Sequence, residues 1–143
     1  MIEYSNDTSR INIDTVWNLL RRTYWSPDVR REVVERAISN SVVVGAFVRG
    51  SGEQVGFARA VTDRATFAWL CDVIVVDQWR RKGIASAMVQ NLIAHPDLQT
   101  LRRWCLATKD AHSVYARFGF AAIPADRWME HKLDPSAWAE PGR

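Results

Sequence analysis

Apolar and polar positions along this chain follow two alternating periods, and the switches between them mark its elements. A short strand is predicted over Ile2 to Ser5. Asp14 reads as the N-cap of a helix that carries Val16, Trp17, Leu19 and Leu20 and ends near Tyr24-Trp25. Ser26-Pro27-Asp28 opens a second helix with Val29, Val33, Val34, Ala37 and Ile38 on one face. Three strands follow. Val42 to Arg49 and Gln54 to Thr62 flank the hairpin signal Gly50-Ser51-Gly52, and Thr66 to Val76 holds a continuous apolar stretch that predicts burial on both faces. From Ile84 two adjacent helical rows appear, Ile84/Met88/Leu92 and Ala85/Val89/Ile93, which end at His95-Pro96. Leu101 to Ala107 reads as a strand, and Asp110 to Phe118 as a short helix stopped by Gly119. Phe120 to Ile123 and Trp128 to Leu133 read as last strands, and the segment from Asp134, with Pro135 and Pro141, as a loose tail.

That order predicts an α/β protein with a mixed central sheet of about six or seven strands flanked by about four helices. The strand–helix–strand unit over residues 66–107 implies one parallel pair, because such a connection returns the chain in the same direction. One domain is expected over residues 1–133, with 134–143 as the tail.

Composition narrows the class without naming a function. A chain of 143 residues with 48% hydrophobic and 24% charged residues is an ordinary folded globule. Its net charge of +3 suits an anionic small ligand as well as nucleic acid. No apolar run reaches the roughly 18 residues of a membrane span, and Met1-Ile2-Glu3-Tyr4-Ser5 has no secretory n-region. Cys71 and Cys105 lie in apolar surroundings without metal-ligand spacing and read as reduced thiols, so a cytoplasmic protein without a metal is expected.

The densest chemical signal is Val75-Val76-Asp77-Gln78-Trp79-Arg80-Arg81-Lys82-Gly83-Ile84-Ala85. A strand breaks into a basic turn with one glycine, and a helix begins at once. Backbone N–H groups from Arg81 through Ser86 and the positive end of the helix dipole then meet at one spot, which makes an anion site. Arg80, Arg81 and Lys82 add positive field. Gly83 is the only glycine there and no Lys-Ser/Thr follows it, so neither a nucleotide P-loop nor a dinucleotide fingerprint fits. On its own the turn reads more readily as a solvated basic helix start.

The spacing Arg80-x-x-Gly83-x-Ala85 resembles the Arg/Gln-x-x-Gly-x-Gly/Ala signature of the GNAT superfamily of N-acetyltransferases. Ala111-His112-Ser113-Val114-Tyr115-Ala116-Arg117-Phe118-Gly119-Phe120 is similar to that family's Ala-x-x-x-Tyr-x-x-x-Gly-Phe segment. The resemblance implies acetyl-CoA as acetyl donor, an amine as acceptor and the family's α/β fold. It places the pyrophosphate against Arg80, Arg81, Lys82, Gly83, Ile84, Ala85 and Ser86. The backbone of Val73, Ile74 and Val75 would pair with the pantetheine arm, and one of those amides would stabilise the tetrahedral oxyanion. Tyr115 would lie near the CoA sulfur and protonate the leaving thiolate, since a phenol with a pKa of about 10 keeps its proton at neutral pH. Thr108 stands where many members carry an asparagine beside the cofactor, and Ala85 replaces the common second glycine.

The acceptor side is less sharply drawn. An aliphatic amine must lose a proton before it attacks a thioester. Asp72, a carboxylate in an apolar strand, is the candidate base, alone or through water, and reads alternatively as a hydrogen-bonded acid at a strand bulge. Tyr24, Trp25, Asp72 and Glu130 are the candidate acceptor-binding residues, with the aromatic pair equally readable as core. Two other classes stay open: a catalytically silent CoA-binding regulatory protein, and a basic nucleic-acid module, for which interleaved aromatic and basic residues are lacking. Neither a membrane nor a nucleic acid is the expected partner, and an exposed last strand with Trp138 admits a homodimer.

Overall fold

A computed structural model describes residues 1–141; the last two positions of the expected tail lie outside the described residues. The chain runs β1 (Ile2–Ser5), α1 (Ile13–Leu20), α2 (Arg31–Ser39), β2 (Val42–Val48), β3 (Gln54–Thr62), β4 (Phe67–Val75), α3 (Ile84–Ile93), β5 (Arg103–Cys105) and α4 (His112–Ala116). The five strands form one sheet in the order β1-β2-β3-β4-β5. The first three pairings are antiparallel and β4 with β5 is parallel, as the β4-α3-β5 crossover requires.

Each face of the sheet is closed by helices, so there are two cores. On one face α3 lays Ile84, Met88, Val89 and Leu92 over Val42, Val44, Val55, Ala58 and Leu70. On the other, α1 and α2 bring Val16, Leu20, Val34 and Ile38 against Val43, Phe47, Phe57 and Ile74. Successive strand residues point to opposite faces. Leu70 and Val75 nevertheless share the α3 side although they are an odd number of residues apart. The phase is reset at Asp72, which adopts a left-handed φ of 54° where the β3–β4 register slips between Phe57 and Arg59. A β-bulge there places one extra residue in β4 and turns the following side chains over.

Several boundaries differ from the sequence reading. Asn12, not Asp14, caps α1: its side chain accepts from the Thr15 amide at 3.0 Å, while Asp14 pairs with Arg31 at 2.7 Å. The helix ends at Leu20, and α2 starts only at Arg31, because Asp28 takes a φ of 57° and Val29 bridges to Ala139. The sheet has five strands, not six or seven. Phe120 to Ile123 and Trp128 to Leu133 join no ladder, because β5 pairs with β4 along one edge and no described strand lies along its other edge. Asp134 to Glu140 is docked: the Arg30 guanidinium donates to the carbonyls of Ser136, Ala137 and Ala139 at 3.2, 2.8 and 3.4 Å. The Glu140 amide donates to the Asp28 carbonyl at 2.8 Å, and Trp138 packs on the α1/α2 core.

Candidate active site

The site begins where the sheet opens. β5 pairs only with Phe67, Ala68 and Trp69 of β4, so beyond Trp69 the β5-facing edge of β4 carries no strand among the described residues. Val73, Ile74 and Val75 lie on this open stretch and line a cleft of about 1180 Å³. A strand edge left open in this way offers main-chain donors and acceptors to an extended ligand.

The cleft runs into the N-terminus of α3. Arg81 and Gly83 both turn left-handed, with φ of 62° and 79°. A Cβ at Gly83 would meet no protein atom within 4 Å, so the glycine is required by its backbone angle and not by crowding within the chain. The amides of Arg81, Lys82, Gly83, Ile84, Ala85 and Ser86 donate to no protein acceptor among the described residues. With them lie Arg22, Arg81 and Arg117 along the cleft, against a single acid, Asp77, which Arg80 neutralises at 3.2 Å. The result is a concave, positively charged cradle of free N–H donors, which is the chemistry of a phosphate site.

Of the residues predicted to hold this ligand, Val73, Ile74, Val75, Arg80, Arg81, Gly83, Ile84, Ala85 and Ser86 line the cleft. Lys82 is exposed and lines neither cavity, and the Thr108 hydroxyl accepts from the Ala111 amide at 3.1 Å instead. Tyr115 is half-buried, edge-on to Phe120 with ring centroids 6.0 Å apart. Its helix neighbours Val114 and Arg117 reach the cleft wall. Burial raises the Tyr115 pKa above the usual phenol value, and the nearby Tyr24 phenol, itself on the cleft, pushes the same way.

A smaller pocket of about 170 Å³ lies between the sheet and the α1/α2 face, and Trp25 lines both cavities. Asp72 is on its floor, 8% exposed. Trp25 Nε1 donates to Asp72 Oδ1 at 2.9 Å and Arg59 Nε to Oδ2 at 2.6 Å, while Arg59 also reaches the Ser41 hydroxyl at 3.1 Å. Burial works most strongly against the Arg59 charge, but the adjacent Asp72 carboxylate, by charge and hydrogen bond, and the Cys71 thiol together hold the guanidinium above its ordinary value. Burial likewise pushes the neighbouring Cys71 thiol up to about 12, with Arg59 opposing and Asp72 adding to the rise.

Tyr24 thus belongs to the cleft, Trp25 to both cavities and Asp72 to the smaller pocket, whereas Glu130 is exposed and lines neither. Sequence reasoning passed over Arg59 and Arg117. Arg59 carried a readable signal, a lone charge inside the apolar run Gly56-Phe57-Ala58-Arg59-Ala60. Arg117 carried only its place one turn after Val114. Among the described residues no group of three or more His, Cys, Asp or Glu is placed to hold a metal ion, and no helix is long and apolar enough to cross a membrane.

Comparison with known proteins agrees with this geometry. Residues 39–122 match the model of the acetyltransferase (GNAT) domain. A crystallised GNAT-family protein of Xanthomonas campestris pv. campestris is 39% identical, covers 98% of both chains and superposes with a TM-score of 0.89. The same fold recurs at lower identity. An acetyltransferase-like protein of Deinococcus radiodurans is 20% identical over 99% of this chain and 94% of its own, with a TM-score of 0.76. One from Clostridium acetobutylicum, whose structure contains acetyl-CoA, is 17% identical over 93% of this chain and 97% of its own, with a TM-score of 0.68. No match is found among curated proteins. An open β4 edge that leads into a glycine-capped, amide-rich helix start, together with a domain match over more than half the chain, makes this protein a member of the GNAT superfamily of acetyltransferases.

Proposed function

We propose that this protein transfers the acetyl group of acetyl-CoA to a primary amine by direct attack within a ternary complex. The observation that carries the reading is the continuity of the open edge at Val73–Val75 with the six free amides of Arg81 to Ser86. An amide-bearing pantetheine arm suits the first and a pyrophosphate the second. The Clostridium acetobutylicum protein, which shares the fold, binds acetyl-CoA.

In this mechanism the neutral amine attacks the thioester carbon, and the carbon–sulfur bond breaks as the tetrahedral intermediate collapses. A β4 amide beside the carbonyl stabilises the oxyanion. Tyr115, kept protonated by burial, gives its proton to the departing thiolate and is reprotonated from solvent. Both Asp72 oxygens already accept a hydrogen bond, from Trp25 and from Arg59. Each retains a lone pair, so Asp72 orients the incoming ammonium and the surplus proton leaves through water. The free thiols Cys71 and Cys105 suit a reducing cytoplasm.

The experiment is thermal unfolding with and without acetyl-CoA, followed by thiol release over a panel of amines. Ligand at about 100 times its dissociation constant adds about 2.7 kcal/mol, a shift of several degrees. No shift with folded protein would overturn the reading. One observation favours a second reading, a catalytically silent CoA-binding regulator: the acids on the two cavities, Asp72 and Asp77, are both ion-paired. That protein would show the thermal shift and release no thiol with any amine.

A further inference from the structure

The smaller pocket has two kinds of wall. Asp72 and Arg59 supply its charge, and Leu20, Val33, Val34, Ile38 and Phe57 give it an aliphatic and aromatic surface. The charged groups stand on the side next to the larger cleft. Asp72 directly precedes Val73 in β4, and Trp25, which donates to Asp72, is a wall of both cavities. Asp72 is already matched, because Arg59 Nε holds its Oδ2 at 2.6 Å. Arg59 is matched only in part. Its Nη1 donates to the Ser41 hydroxyl, but Nη2 donates to no acceptor among the described residues. No fully buried side-chain polar atom among those residues lacks a partner, so Nη2 is open to a ligand in the pocket that Arg59 lines. A lone cation at Asp72 would share that carboxylate with Arg59, leaving two positive charges on one negative where little water reaches. A ligand with an anion beside its ammonium group removes the excess. Ammonium on Asp72 and carboxylate on Arg59 Nη2 set four charges in alternation.

We propose, resting on the acetyl-transfer reading above, that the acceptor is a free α-amino acid with a branched aliphatic or single-ring side chain, acetylated on its α-nitrogen. Asp72 takes the α-ammonium group, Arg59 Nη2 takes the α-carboxylate, and the side chain lies on the apolar wall. An α-amino acid carries both charges on one carbon, which matches two partners that are themselves in contact. Size sets the side chain. The pocket holds about 170 Å³, and an apolar cavity of about 150 Å³ accepts benzene. A leucine or phenylalanine side chain suits that space, whereas a lysine side chain would place a third positive charge among apolar groups. A peptide N-terminus offers a neutral amide where Arg59 calls for a carboxylate. Once its α-nitrogen has lost a proton to water, the amino acid attacks the thioester carbon. The carbon–sulfur bond breaks and the thiolate takes up a proton, so the products are the N-acetylated amino acid and CoA.

The test compares four acceptors on the full chain: L-leucine, L-leucinamide, 3-methylbutylamine and L-lysine. Calorimetry in the presence of CoA reads binding, and thiol release from acetyl-CoA gives kcat/KM. Leucine is expected to bind and to exceed each of the other three at least about 100-fold in kcat/KM, because a site built around a polar group rejects analogues that leave it unpaired. Arg59→Lys keeps a positive charge for Asp72 and loses the second arm of the fork. It should raise the KM for leucine at least about 10-fold and leave that for leucinamide unchanged. Leucinamide or 3-methylbutylamine performing as well as leucine would overturn the carboxylate contact, and lysine doing so would overturn the apolar wall. Leucine that fails to bind at about 10 mM, or binds without thiol release, overturns the proposal outright. The wild-type comparison decides all of this even where the variant fails to fold. Failure of leucine with a normal acetyl-CoA thermal shift and another amine turned over sinks this proposal alone. An absent acetyl-CoA shift sinks the acetyl-transfer reading and this proposal with it.

Discussion

Asp72→Asn isolates what the buried ion pair does for the fold. Asparagine keeps the shape of the side chain, tolerates the left-handed φ of 54° and retains an oxygen for the Trp25 indole. What it removes is the charge facing Arg59 across 2.6 Å, in a place where the side chains are 19% and 8% accessible. An uncompensated guanidinium this far from water is expensive, and breaking one half of such a pair costs about 3 kcal/mol. For a domain of this size that is a fall in Tm of about 10 °C. Urea unfolding followed by tryptophan fluorescence measures it. Arg59→Met/Asp72→Asn, which removes both charges and keeps the bulk, should recover about 2 kcal/mol of the loss, because the remaining groups are no longer mismatched. A single variant within about 0.5 kcal/mol of wild type, or single and double effects that simply add, would refute the claim that the pair supports the pocket floor.

Other outcomes follow from the same geometry. Tyr115→Phe should cut thiol release by about 100-fold or more while leaving acetyl-CoA affinity nearly intact, and unchanged turnover in steady-state kinetics would remove the phenol from the reaction. Gly83→Ala should lose about 1 kcal/mol in urea unfolding, from the left-handed backbone alone since its Cβ meets no protein atom; calorimetry should show weaker acetyl-CoA binding, because Gly83 lines the cleft. With its thiol pushed up to about 12 by burial, Cys71 should resist iodoacetamide at pH 8 in the folded protein and react once urea unfolds it. The sign for stability is fixed as well: the thiol ionises at about 8.5 in the unfolded chain, so its contribution is whole below that pH and is lost as pH rises toward about 12.

What could be read in advance divides along physical lines. The hairpin of β2 and β3, the apolar rows of α3 and the Arg80-x-x-Gly83 turn were legible because local patterning determines each of them: period, glycine and helix start all fall within a few residues. The bulge at Asp72 was not, because it depends on β3 slipping against β4, a property of two strands that neither shows alone. The partnership of Arg59 with Asp72 follows from that slip, so the acid's environment stayed hidden although its position was conspicuous. Trp128 to Leu133 reads as a strand from its residues alone, but a strand exists only where a neighbouring edge pairs with it, and among the described residues none does. The segment from Asp134 looked loose because its anchor, Arg30, lies more than 100 residues earlier in the chain.

That last separation bears on how the molecule assembles. Contacts spanning 106 to 109 residues are the most costly in loop-closure entropy, and they form only after the intervening sheet has brought their ends together. Trp138, delivered by this closure, is a wall of the 170 Å³ pocket. During synthesis α1, α2 and the sheet can therefore collapse around a cavity that still lacks one side. This pocket is finished last, and a chain arrested before Trp138 emerges would hold the larger cleft complete while the smaller pocket, the amine site of the proposed reaction, still lacked a wall.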